Sequence, residues 1–256
     1  MALDQLSRAA LKELRLRVIF IELDNLESGV GILFKRDEKV FLIAPKHILI
    51  DTSAQFRARE IQLKHFPSDT DNVPTQFATI APDDLENGTF MHALHVDLCA
   101  LHVGDFPTED LDSPSYIPSG ITWIKRNYLN LHLFKYHDLA FSPTWDPIEN
   151  IFLSSVSETE TGLDIVSIAA NFEKFDRAKF HLRTKHKPFQ FKTGGPAYHI
   201  VRIGGSTEYF KLRLIGLIWY LAPVIARNEN EKSDRAYTYV IPIDLLPELL
   251  DNFFYL

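Results

Sequence analysis

Gly29-Val-Gly-Ile-Leu-Phe-Lys35, Arg36-Asp-Glu38 and Lys39-Val-Phe-Leu-Ile43 form the stretch that decides the fold. Two runs rich in β-branched and aromatic residues flank a short polar segment, the pattern of a β-hairpin. Working outward, Arg17-Val-Ile-Phe-Ile-Glu22 reads as a strand, and further strands are expected near 58–66, 74–80, 95–103, 131–135, 150–155, 163–170, 178–184, 197–203, 209–220 and 237–241. Short strands without βαβ alternation argue for a mainly β chain built as barrels or sandwiches. Helices are expected only at the ends. Leu3, Leu6, Ala10, Leu11 and Leu14 share one face of a helix over 3–15, and Ile243-Asp-Leu-Leu-Pro-Glu-Leu-Leu-Asp-Asn-Phe-Phe254 has Pro247 in its first turn. The segment Asp105 to Gly120 is rich in Pro, Ser and acids and reads as a linker. This divides the chain into an N-terminal helix (1–15), a first β unit (16–104), the linker (105–120) and a second β unit ending in a helix (121–256).

Composition narrows the classes of function. The 256 residues suffice for one large or two small cores, and 46% hydrophobic with 24% charged residues is ordinary for a globular chain. Lys and Arg number 27 against 34 Asp and Glu, and the formal charge of -7 disfavours a broad nucleic-acid surface. Cys99 is the one cysteine, so no internal disulfide is expected, and a reducing cytoplasm is the expected compartment. The charged N-terminus lacks the apolar core of a signal peptide, and the longest apolar run, Leu214 to Ala226, contains Pro223 and is too short to span a bilayer. No membrane attachment is therefore expected.

Three segments carry chemistry: Phe41-Leu-Ile-Ala-Pro-Lys-His47, His95-Val-Asp97-Leu-Cys-Ala-Leu101 and Phe191-Lys-Thr193-Gly-Gly-Pro196. A hydroxyl is a poor nucleophile near neutral pH. It needs an imidazole to take its proton and a carboxylate to fix the tautomer and stabilise the imidazolium. In sequence and order the three segments resemble the histidine, aspartate and nucleophile motifs of trypsin-like (chymotrypsin-fold) serine proteases, and Lys46-His47 is most similar to bacterial members. The resemblance implies two Greek-key β-barrels with the site between them. It also implies His47 as base, Asp97 as its orienting carboxylate, Thr193 as nucleophile, and the N–H groups of Phe191 and Thr193 as oxyanion donors. By the same resemblance Gly216-Leu-Ile-Trp219-Tyr220-Leu221 matches the strand lining the primary substrate pocket, with Leu221 narrowing it. No cofactor is implied.

The third motif departs from the family's Gly-Asp-Ser-Gly-Gly-Pro at Phe191, Lys192 and Thr193. The methyl group of Thr193 restricts its side-chain torsion. Phe191 resists a glycine-like backbone and is expected to turn the two N–H groups away from a common point. Weak or absent cleavage is expected, and two functions follow: a peptidase using Thr193 on a protein or peptide substrate, or a pseudoprotease whose barrels serve as a protein-binding module.

Two other clusters take ordinary readings. His92, His95, Asp97, Cys99 and His102 match no common zinc spacing and alternate across a strand, so no metal site is expected. Lys174, Arg177, Lys179, Arg183, Lys185, Lys187 and Lys192, interleaved with Phe175, Phe180, Phe189 and Phe191, suit a solvated hairpin better than a nucleic-acid patch.

Overall fold

The computed structural model describes residues 12–24, 27–67, 73–108, 111, 113–124, 131–140, 151–159, 162–176, 181–186, 190–202, 210–222 and 236–254. The first half contains β1 (Ile19–Leu23), β2 (Ser28–Arg36), β3 (Lys39–Ala44), a one-turn helix α1 (Lys46–Leu49), β4 (Ile61–His65), β5 (Thr75–Ile80), β6 (Phe90–His92), β7 (Cys99–Asp105), β8 (Ile121–Trp123) and β9 (Phe134–Lys135). These strands form one sheet in the order β6-β7-β3-β2-β1-β4-β5-β8, with β9 added parallel to β2. The second half contains β10 (Ile151–Thr159), β11 (Gly162–Asp176), β12 (His181–His186), β13 (Pro196–Arg202), β14 (Phe210–Ala222), β15 (Ala236–Pro242) and the C-terminal helix α2 (Leu246–Phe254). Its strands close into a barrel in the order β10-β11-β12-β15-β14-β13.

The hairpin of β2 and β3 explains its own composition. Successive side chains on a strand point to opposite faces, and here both faces are covered. Leu33, Val40 and Leu42 enter the core of the first sheet with Ile19, Ile21, Leu63 and Leu101. Their neighbours Ile32, Phe34, Phe41 and Ile43 pack the other way, against Tyr198, Leu214 and Leu217 of the second barrel. A third cluster, of Val18, Phe20, Val30 and Phe66 with Val156, also joins the halves. A strand buried on both faces needs an unbroken apolar run, which is what the sequence shows.

The division of the chain differs from the expected one. Residues 121–135, expected with the second half, belong to the first sheet: β8 pairs with β5 and β9 with β2. The supposed linker folds back instead of crossing over, because Asp105 N–H donates to the Tyr116 carbonyl and Ser115 N–H to the Asp105 carbonyl, each at 2.8 Å. The passage to the second barrel therefore lies after Lys135. Of the N-terminal helix, residues 12–15 are helical and residues 3–11 lie outside the described residues. No helix among the described residues is long and apolar enough to cross a membrane.

The helical turn at residues 12–15 is clasped to the chain before β9. Glu13 Oε1 lies 2.9 Å from both His132 Nδ1 and Arg17 Nη2, and Arg17 also donates to the Leu133 carbonyl at 3.0 Å. The His132 hydrogen bond, aided by Arg17, outweighs partial burial and lowers the Glu13 pKa to about 2. A carboxylate with a depressed folded pKa stabilises above its unfolded value, about 4.3, and loses that contribution as pH falls through the folded one. Thermal melts by circular dichroism between pH 5 and pH 2 should therefore fall more steeply for wild type than for Glu13→Gln, and parallel curves would contradict the clasp.

Candidate active site

α1 is only one turn long, begun by Pro45 and held by buried Ile48 and Leu49, which leaves the His47 side chain 45% exposed at the junction of the halves. Asp97 reaches it from the turn between β6 and β7, which Ala93 N–H closes on the Leu98 carbonyl at 2.8 Å. The carboxylate holds His47 twice. Oδ1 accepts the backbone N–H of His47 at 2.9 Å, and Oδ2 is hydrogen-bonded to ring Nδ1. On the other side of the ring, Nε2 lies 3.1 Å from Thr193 Oγ1. Arg57 Nη1 donates to the His47 carbonyl at 2.8 Å and pairs with Glu27, while Lys46 Nζ donates to the Ala93 carbonyl at 3.0 Å. Of the expected site residues, the structure brings His47, Asp97 and Thr193 into one hydrogen-bonded line.

A fourth residue, Trp219, touches that line. Ile218 pairs with Val240 and Tyr220 with Tyr239, so Trp219 is the extra residue of a β-bulge, a device that re-aims a side chain. Its indole hydrogen-bonds Asp97. Burial tends to raise the Asp97 pKa, but the His47 ring, the His47 backbone N–H and the Trp219 indole together favour the anion and hold the carboxyl below its ordinary value. The family resemblance implies a pocket-wall role for Trp219, and no motif announces its bond to Asp97. Tyr220 is 47% exposed, and the Trp219, Tyr220 and Tyr239 rings lie with centroids 5.9–6.5 Å apart. The Leu221 backbone pairs with Thr238, and its side chain lies outside the described residues.

Thr193 is fixed by its neighbours. Gly194 adopts φ +96, and a Cβ there would fall 1.7 Å from the Val30 carbonyl oxygen; at Gly195 it would fall 2.0 Å from that of Ser154. Only glycines permit so close an approach. In return Val30 N–H donates to the Thr193 carbonyl at 3.0 Å and Gly194 N–H to the Ile218 carbonyl at 2.6 Å. Before Thr193, Phe191 is buried in the second barrel core with Ile215, Ile218 and Val240. It keeps a negative φ, since Asp37 and Ala54 are the non-glycine residues of positive φ among the described residues. The carbonyls of Gln190 and Lys192 accept hydrogen bonds from Ser157 and Ser155 of β10. A trans peptide unit points its N–H opposite to its C=O, and no described peptide is cis. The N–H groups of Phe191 and Thr193 thus leave on one side, away from β10.

The other flagged residues are engaged separately. Cys99 Sγ donates to the Ala44 carbonyl at 3.3 Å, and His102 Nε2 meets Asp105 Oδ1 at 2.6 Å. No group of three or more potential ligands suited to a metal occurs among the described residues. In the basic run, Arg183 lies over the Tyr237 ring and Lys192 pairs with Glu158 at 2.6 Å. The side chains of Lys174, Phe175, Arg177, Lys179, Phe180, Lys185, Lys187 and Phe189 lie outside the described residues.

No family model matches this sequence, and a comparison with curated proteins found no match. Solved structures do resemble the fold. Deg5 aligns with a TM-score of 0.55 at 12% identity over 96% of this chain and 92% of its own. The serine endoprotease from Yersinia pestis gives 0.50 at 14% identity, over 98% of this chain and 66% of its own. A mutant of the tobacco etch virus protease gives 0.47 at 14% identity, over 94% and 79%. At such identities the likeness concerns the fold: this chain has a trypsin-like, mainly β protease fold.

Two outcomes follow from the geometry. Gly194→Ala should cost about 2–4 kcal/mol, from a strained φ and a backbone overlap, read by chemical denaturation; a change near zero would contradict the close approach to Val30. In Trp219→Phe the Asp97 carboxyl, followed by carbon-13 NMR, should titrate at higher pH than in wild type, and an unchanged midpoint would exclude the indole from the site.

Proposed function

We propose that this chain is a trypsin-like peptidase with Thr193 as its nucleophile, acting on protein or peptide substrates. The observation that supports it best is the line of three groups: Asp97 on Nδ1 of His47, and Thr193 Oγ1 at 3.1 Å from Nε2. With the Nδ1 proton bonded to Asp97, Nε2 presents a lone pair to the Thr193 hydroxyl. Oγ1 attacks the scissile carbonyl carbon as its proton passes to Nε2, and the charge on the imidazolium is balanced by Asp97. The N–H groups of Phe191 and Thr193 face the oxygen that gains charge. His47 then returns the proton to the leaving amine; in the second half a water gives its proton to the same nitrogen as it attacks the acyl ester, and His47 passes that proton to Thr193 Oγ1 as the ester C–O bond breaks, restoring the hydroxyl.

The bulk of Thr193 sets the rate. Its methyl group lies on the carbon bearing the nucleophile, and a displacement near 1 Å costs about a hundredfold. Trp219 and Tyr220 supply an aromatic wall to the cleft and favour an extended peptide with apolar side chains.

Turnover of a fluorogenic peptide library by the full chain tests this. Wild type should be slow, Thr193→Ser faster by roughly ten- to hundredfold, and Thr193→Ala reduced to background. Asp97→Asn should lose about 10³-fold or more in kcat. Cleavage that survives Thr193→Ala would reject Thr193 as nucleophile. Binding of peptides with no turnover in any variant, the serine one included, would favour the binding-module reading.

A further inference from the structure

Ser155 and Ser157 lie in the second barrel outside every motif of the proposed mechanism, yet both are buried, at 1% and 8% exposure. A buried hydroxyl is costly unless it is hydrogen-bonded, so what these two hold matters. β10 pairs with β13 only from Ile151 to Leu153. Beyond that point the loop before Thr193 takes over the same edge, with Lys192 N–H donating to the Val156 carbonyl at 2.8 Å. Ser155 Oγ donates to the Lys192 carbonyl at 2.5 Å, and Ser157 Oγ to the Gln190 carbonyl at 2.9 Å. The two serines are two residues apart and share one face of the strand. They grip alternate carbonyls of the loop, at the peptide units whose nitrogens belong to Phe191 and Thr193.

We propose that Ser155 and Ser157 are positioning residues that set the direction of the Phe191 and Thr193 N–H groups, and so make an oxyanion site from a loop that lacks the usual glycine. The inference rests on the peptidase reading given above. A peptide plane can rotate about its flanking torsions with little movement of the Cα atoms. If the 190–191 plane turned over, a carbonyl instead of an N–H would face the substrate, repelling the developing oxyanion. Glycine can hold such a plane in a left-handed conformation that other residues avoid. Phe191 cannot, and its ring is locked into the barrel core. The restraint comes from the other end of each plane: a hydroxyl on β10 fixes the carbonyl, and planarity fixes the N–H. Lys192 Nζ on Glu158 adds an exposed contact, which contributes little.

The experiment uses the full chain with Ser155→Ala, Ser157→Ala, the double variant, and Ser155→Thr and Ser157→Thr, which keep a hydroxyl. It has two readouts: kcat and KM on a fluorogenic peptide, and nitrogen-15 NMR shifts and hydrogen exchange of the Phe191 and Thr193 amides with and without a peptide boronate. Each alanine variant should lose about 10- to 100-fold in kcat, less than the roughly 100- to 1,000-fold cost of removing an oxyanion donor outright, with KM within about twofold. The threonine variants should recover most of the loss. The two amides should shift and exchange faster in the alanine variants, and the boronate should perturb them less. Unchanged kcat in the double variant would overturn the proposal, as would losses that merely follow a falling melting temperature and are not recovered by threonine. If the wild-type chain cleaves no peptide, the peptidase reading fails and the amides alone decide: unmoved Phe191 and Thr193 signals in the double variant overturn the clamp, and moved signals support it.

Discussion

Everything at the junction depends on how near two backbones come at Gly194 and Gly195. There the turn after Thr193 lies against the Val30 carbonyl on one side and the Ser154 carbonyl on the other, with no room for a Cβ on either. Side chains usually hold sheets about 10 Å apart. Here two main chains meet directly, and the hydrogen bond from Val30 N–H to the Thr193 carbonyl crosses between the halves. His47 and Thr193 belong to different halves of the chain, and their 3.1 Å separation requires this contact.

The β2–β3 hairpin serves the same end by other means. One of its faces fills the first core and the other packs on the second barrel, so its register is fixed from both sides. A slip of one residue would exchange the two sets. α1 follows β3 directly, so the position of His47 inherits this rigidity. Asp97 adds to it by bonding the ring and the backbone of His47 together, which settles ring orientation and helix start with one carboxylate.

Much of this was legible in the residues, for physical reasons. The hairpin announced itself through two unbroken apolar runs around a polar turn, and the three short segments carried residue types that combine into acid–base chemistry. The division at 105–120 misled because Pro, Ser and acidic residues mark any irregular excursion, and composition does not distinguish a crossover from a loop that returns to its own sheet. The serine contacts of β10 were invisible for a different reason. Ser155 and Ser157 bond backbone carbonyls some 33–37 positions away, and a partner that is main chain leaves no mark in sequence. Trp219 was noticed for its size, while its bond to Asp97 depends on a bulge that adds one unpaired residue to β14.

That bulge has a consequence for how such a site can change over time. Trp219 packs against the core shared by the two halves and also holds the carboxylate through its indole N–H. Where a small hydroxyl donor would leave the two duties to separate residues, one side chain here carries both. A substitution that reshapes the packing at this junction would at the same stroke withdraw a donor from Asp97. The packing of the two halves and the environment of Asp97 are thus inherited together, and a lineage varying position 219 would move along a single trade-off curve instead of adjusting the two independently.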